Sequence, residues 1–132
     1  MNQLAVTEYF FNNPDNNVKK RRILVKRGNE FISFSLEDVA FFVTENKVVF
    51  LVDLEGNKFI VEKNNLMDLE SDLNPSSFYR ANRKYIVHIL AIKSFRTIEG
   101  KRISLNLIIP TKEEIIVSQD NATDFKNWIQ SL

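Results

Sequence analysis

The stretch VAFFVTENKVVFLVD, residues 39–53, places two runs of Val, Phe and Leu on either side of the polar triplet Glu45-Asn46-Lys47. Each run is too short for a stable helix and is rich in the β-branched and aromatic side chains that pack on a pleated surface. A polar interruption of this length lets the second run fold back on the first, so 39–44 and 48–53 read as the two strands of a hairpin.

The same pattern continues outward in both directions. Upstream, Gly28-Asn29 separates β-rich stretches at 23–26 and 31–34, and Leu36-Glu37-Asp38 forms a polar-edged turn into the central hairpin. Downstream, Glu55-Gly56-Asn57 turns the chain into 58–61. Asn64 or Asn65 then caps a short helix, because Leu66, Leu69 and Leu73 recur at i, i+3 and i+7 before Asn74-Pro75 stops it. Further strands are read at 78–81, 84–89, 92–98, 102–108 and 114–117, with Glu99-Gly100 as a tight turn and Pro110 closing the fourth. Ser118 caps a last helix whose Ala122, Phe125, Trp128, Ile129 and Leu132 share one apolar stripe. Many short strands at hairpin spacing, without regular strand–helix alternation, predict a mostly β fold of short antiparallel sheets with one or two small helices. Residues 1–19, which include the polar run 12–17, lack sustained periodicity and read as a linker or disordered arm, leaving 20–132 as one domain.

Composition narrows the chemistry. A chain of 132 residues, 44% hydrophobic and 27% charged, can bury a real core. It contains no cysteine, which excludes disulfides, thiolate metal sites and cysteine nucleophiles and suits a reducing cytoplasm. The longest apolar runs, 48–52 and 105–109, are far too short to span a bilayer, and no signal-peptide core precedes them. None of the three glycines belongs to a phosphate-cradling loop. The single histidine, His88, has no sequence partner to orient it for catalysis, and the acid pairs Asp53/Glu55 and Glu113/Glu114 border turns where solvated charge is ordinary. No enzyme, cofactor or metal site is expected.

The net charge of +1 conceals a sorted distribution. Residues 28–77 carry ten acids against Lys47, Lys58 and Lys63, whereas residues 78–112 carry Arg80, Arg83, Lys84, Lys93, Arg96, Lys101, Arg102 and Lys112 against Glu99 alone. Such segregation can present a basic face to a polyanion, although Lys and Arg on exposed strand edges also resist aggregation. The densest constellation is Phe78-Tyr79-Arg80-Ala81-Asn82-Arg83-Lys84-Tyr85. Arg can bind guanine O6 and N7 bidentately, Asn can pair with adenine, and Lys or Tyr can anchor phosphates. In a purely structural reading of the same residues, Phe78 and Tyr85 are core and Arg80 pairs with an acid of segment 28–77.

The segment 78–87, followed by Ala91-Ile92, resembles the signature of LytTR DNA-binding domains. Glu37-Asp38-Val39 resembles the family's acidic turn, Glu45-Asn46-Lys47 its first contact loop, residues 53–58 its Gly turn, Leu66 to Leu73 its short helix, and Val117-Ser118-Gln119 its final strand end. The resemblance covers about residues 20–130. It implies loops, rather than a recognition helix, entering successive major grooves of double-stranded DNA. By position it implies base reading by Arg83, Asn46 and Gln119, the last standing where many members carry Arg. It implies phosphate binding by Lys84 and Lys47, and the charge distribution adds Arg80, Lys93 and Lys112. His88, where members often carry Asn, would support the neighbouring loop.

The family setting is the output half of a bacterial two-component response regulator, with dimers on direct-repeat DNA sites. A receiver or membrane sensor does not fit before Val18, so the chain reads as an excised output domain or one whose input comes from elsewhere. The alternative function is a β-rich protein-interaction module whose basic loop binds an acidic partner. Single-stranded nucleic acid binding would need exposed Tyr79 and Tyr85 for stacking, and both are expected to be largely buried.

Overall fold

A computed structural model describes residues 20–131; the arm expected over 1–19 and the stripe residue Leu132 lie outside them. The strands are β1 (Arg22–Arg27), β2 (Glu30–Ser35), β3 (Val39–Glu45), β4 (Val48–Asp53), β5 (Lys58–Val61), β6 (Phe78–Arg80), β7 (Tyr85–His88), β8 (Ile92–Ile98), β9 (Arg102–Leu107) and β10 (Ile115–Val117). The helices are α1 (Leu66–Glu70) and α2 (Gln119–Gln130). The strands form two antiparallel sheets, one of seven in the order β2-β1-β5-β4-β3-β7-β6 and one of three in the order β10-β9-β8. The mostly β reading therefore holds.

The large sheet is buried on both faces at its centre, which explains the continuous apolar run of β3. Val39 and Phe42 face one core with Val49, Leu51 and Ile86, closed by Leu66, Leu69 and Leu73 around α1. Ala40, Phe41 and Val43 face a second core with Val87, Ile103, Leu105, Val117 and Phe125, closed by the small sheet and α2. Ala40 and Phe41 are consecutive yet share a face because the β3–β4 register slips between Val39 and Phe41, and a bulge spends one residue without flipping sides. Local signals set the ends of the elements. Asn65 Oδ1 accepts from Asp68 N at 2.8 Å and caps α1. Asp53 Oδ1 accepts from Glu55 N and Asn57 N, closing the turn before β5. Ser118 stands at the N-cap of α2 without a side-chain cap bond. Strands read at 78–81 and 84–89 are shorter, ending at Arg80 and His88, because Ala81–Lys84 form a loop and Ile89–Ala91 a 3-10 turn.

His88 corrects an expectation. It lies at the opposite end of β7 from that loop, 5% exposed, stacked on Phe78 with ring centroids 4.6 Å apart. Its Nδ1–H donates to the Val39 carbonyl at 2.8 Å, so it ties β7 to the start of β3 rather than supporting the loop. Burial lowers its pKa below the ordinary 6.5, outweighing the Val39 bond and the Glu37 charge. The unfolded chain therefore takes up this proton more readily than the folded one. The stabilisation is complete above pH 6.5 and is lost as pH falls toward the lowered folded value. The urea midpoint is expected to fall across that window, and more steeply than in His88→Asn, whose amide keeps the Val39 bond but cannot titrate. Equal pH profiles for the two chains would refute this.

Candidate nucleic-acid interface

Three segments build one polar strip. The first is the β3–β4 turn, where Glu45 pairs with Val48 and only Asn46 (φ 50°) and Lys47 (φ 65°) remain between the strands. Two left-handed residues make a type I′ turn, the geometry that favours Asn-Gly. Asn tolerates the first position, but Lys at the second carries strain of about 1 kcal/mol. Both side chains are exposed. Lys47→Gly is expected to raise the thermal midpoint by a few degrees while weakening DNA binding. A variant that gains stability with unchanged DNA affinity would remove Lys47 from the interface.

The second segment, between β6 and β7, is held rigidly. Asn82 Oδ1 accepts from the backbone N–H of Lys84 (2.8 Å) and Tyr85 (3.0 Å), and its Nδ2 donates to the Ile116 carbonyl at 2.9 Å. Arg80 donates from Nε to Asn82 O at 2.7 Å and from Nη2 to Arg83 O at 3.0 Å, and its Nη1 lies 3.4 Å from Glu70 Oε1. With its fork spent on loop carbonyls and an acid of the 28–77 segment, Arg80 braces the loop, which is the structural reading rather than the phosphate-binding one. The carbonyls of Asn82 and Arg83 and the amides of Lys84 and Tyr85 are thus occupied internally, and the exposed Arg83 side chain is carried at the loop's apex. Thr44 N donates to Lys84 O at 3.0 Å and joins this loop to the first.

Lys84 does not stand free. Its Nζ lies 2.6 Å from Glu113 Oε1, which also accepts from the Tyr85 hydroxyl at 3.0 Å. Lys84 first, then Tyr85, holds the Glu113 carboxyl below its usual range. Burial and the neighbouring Glu113 push the Tyr85 hydroxyl upward, so it stays protonated and donating. Lys112 reaches Glu45 at 3.8 Å and is largely exposed; Lys58 reaches the same carboxylate at 3.2 Å. Both Lys84 and Lys112 are solvent-facing pairs of small net energy, so exchanging a carboxylate for a phosphate costs little.

The third segment is the end of β10 and the first turn of α2, with Ser118 and Gln119 exposed. It meets the second segment around a shallow cavity of about 480 Å³ whose lining includes Arg80, Asn82, Arg83, Arg102, Ser118 and Asn121. The structure thus sets Arg83 beside Ser118 and Asn121 at one cavity, joins Lys84 through Thr44 to the hairpin that carries Asn46 and Lys47, and brings Lys112 to Glu45 of that hairpin; Gln119 follows Ser118 at the start of α2 but does not line the cavity. Lys93 is not part of this arrangement: it is the bulged residue of β8, between Ile92 and Ser94, at the end of the strand farthest from Arg102. Arg102, which lines this cavity, was missed as a site residue, and Arg96, opposite Ser104 on β8, is a further exposed cation that was not singled out. Both were visible only as members of the basic segment. Period-two alternation would have placed them, since Ile103, Leu105 and Leu107 point inward and leave Arg102 and Asn106 exposed, with Ser104 between them buried beneath its cross-strand neighbours.

Among the described residues no three His, Asp or Glu side chains converge as a metal site, and no helix is long and apolar enough to cross a membrane. Tyr85 is 4% exposed, and the half-buried Tyr79 packs on Phe125 and Trp128 with its hydroxyl on Asp124, so neither offers a free stacking face.

No curated protein matches the chain in sequence. Among solved structures, the LytTr DNA-binding domain of a protein described as a methyl-accepting/DNA response regulator from Bacillus cereus superposes with a TM-score of 0.72 at 23% identity, covering 83% of this chain and 97% of that one. The family model of the LytTr DNA-binding domain matches residues 29–130, from the start of β2 to the end of α2, and the chain belongs to that non-enzymatic, DNA-binding family.

Proposed function

We propose that this domain reads double-stranded DNA sequence-specifically through loops in the major groove, as the output part of a cytoplasmic two-component response regulator. The observation that carries this reading is the convergence of the 46–47 turn, the braced 81–84 loop and the start of α2 on one cation-bearing strip. Arg83, Asn46 and Gln119 read bases, and Lys84, Lys47 and Lys112 hold phosphates, with Arg102 and Arg96 extending the phosphate track. Lys93 lies apart from this track. The family, with a solved relative named as a response regulator, supports a receiver or sensor as the source of input and paired domains on direct-repeat sites, where linkage supplies effective concentration.

Selection of a randomised duplex pool by this chain, followed by a salt titration on the enriched sequence, tests the reading. A motif should emerge, with affinity falling steeply in salt as condensed counterions are released. Recovery of only salt-labile, sequence-independent binding would count against base reading.

A further inference from the structure

The four sheet edges are not protected equally. β6 and β10 are only three residues long, and the Ile116 carbonyl is taken by Asn82. The longer edge β8 is broken by a bulge and carries Lys93 and Arg96. These are the ordinary devices that stop edge-to-edge pairing. β2 is neither short nor bulged: EFISFS runs for six residues without Pro or Lys, its one charge is Glu30 at the start, its single guard is Arg22 of β1 reaching the Ser33 hydroxyl and carbonyl, and among the described residues no strand pairs with its outer side.

The direction of its open backbone groups follows from the β1–β2 ladder. Leu36 N donates to Arg21 O at 3.0 Å, which makes this a hydrogen-bonded pair. Antiparallel pairs alternate, so Phe34, Ile32 and Glu30 bond to β1, while Phe31, Ser33 and Ser35 turn their amides and carbonyls outward. Arg22 Nη2 reaches the Ser33 carbonyl at 2.6 Å, leaving that oxygen its second lone pair.

We infer that β2 is a self-pairing edge through which a second copy of this chain docks antiparallel, Ser33 opposite Ser33, to continue the large sheet across a twofold axis. The side chains select this register. It sets Ile32 opposite Phe34 of the second copy, twice, on the face where both are half-buried against the α1 core. The rows Ile23–Phe34 and Val25–Ile32 then join into unbroken apolar rows across the junction. A shift to Ile32 opposite Ile32 would set Glu30 against Phe34, and any odd shift would turn the apolar face outward. The Ser33 register uses the outward groups of Phe31, Ser33 and Ser35 in about six hydrogen bonds. Phe31 (57% exposed) and Leu24 (51%) of each copy then lie beside the junction on the opposite face.

The contact sits at the opposite edge of the sheet from the β6–β7 loop, so it leaves the DNA strip open and does not depend on it. A strand edge can pair with itself only about a twofold axis. Copies on direct repeats are related by translation and do not use this contact, which the chain makes in solution.

Sedimentation equilibrium of the 132-residue chain without DNA tests this. One pair of strand edges is smaller than a standard interface, so the expected dissociation constant is on the order of 10–100 µM. Ser35 has φ −73°, already suited to proline, and its N–H does not serve β1. Ser35→Pro should keep the circular dichroism spectrum and raise the dissociation constant about tenfold or more. In a chain with no native cysteine, Ser33→Cys should cross-link on mild oxidation, whereas Ile32→Cys, facing Phe34 of the second copy, should not. A chain monomeric at several times the upper end of that range, a dimer indifferent to Ser35→Pro, or equal cross-linking of the two cysteine variants would overturn the proposal.

Discussion

Arg83→Ala is expected to lose a base preference rather than DNA binding as a whole. The loop that presents Arg83 is held by five bonds between the Asn82 and Arg80 side chains and backbone and by the Thr44–Lys84 bond, none of which uses the Arg83 side chain. Truncation therefore removes the guanidinium without collapsing its platform. A bidentate contact to one base pair is worth about 1–3 kcal/mol of discrimination, so affinity for the preferred site should fall about 5- to 150-fold. Non-specific affinity should fall much less, and parallel selections should show one position of the motif blurred. Lys84→Ala supplies the contrast: it should weaken all duplexes alike and reduce the salt slope by about one. If Arg83→Ala leaves the enriched motif sharp at every position, Arg83 is not a base reader.

Phe125→Ala should be the most damaging single truncation in α2. The ring is fully buried and meets Tyr79 at 5.3 Å and Phe95 at 5.1 Å, both edge-on, with Trp128 at 5.9 Å. It thereby fastens the helix to β6 of the large sheet and β8 of the small one. Removing such a ring costs about 3–5 kcal/mol through lost transfer energy and an unfilled cavity, a large share of the about 5–15 kcal/mol available to a domain. Because Ser118, Gln119 and Asn121 ride on the start of this helix, the variant should also lose DNA affinity where it remains folded. Urea unfolding that shifts by less than about 1 kcal/mol would show that α2 is not fastened through this ring.

Arg80 and Lys93 show what the sequence left undecided at the site: Arg80 carried both a phosphate-binding and a structural reading, and Lys93 was read as a phosphate ligand from charge alone. Both are cations in the basic segment, and nothing in their neighbours along the chain separates them from Arg83. Arg80 was diverted by Glu70 and by two carbonyls of the loop that follows it, partners fixed by the return of the chain through α1 and β7. Lys93 was displaced by a bulge, which a single sequence does not mark. Arg102 was hidden for the converse reason: its neighbours in the cavity, Asn82, Arg83 and Ser118, come from distant segments.

The sequence by itself determined the elements, their antiparallel hairpins and the loop that carries Arg83. Those follow from local physics: period-two alternation, turn residues with positive φ, and caps that satisfy nearby amides. Only the tertiary structure decided that β3 faces two cores, that His88 ties strands far from the loop, and that turn 46–47, loop 81–84 and the start of α2 form one strip. Each of these depends on which strands lie side by side, and strand order is set by the burial of apolar faces across the whole domain, which no short stretch encodes.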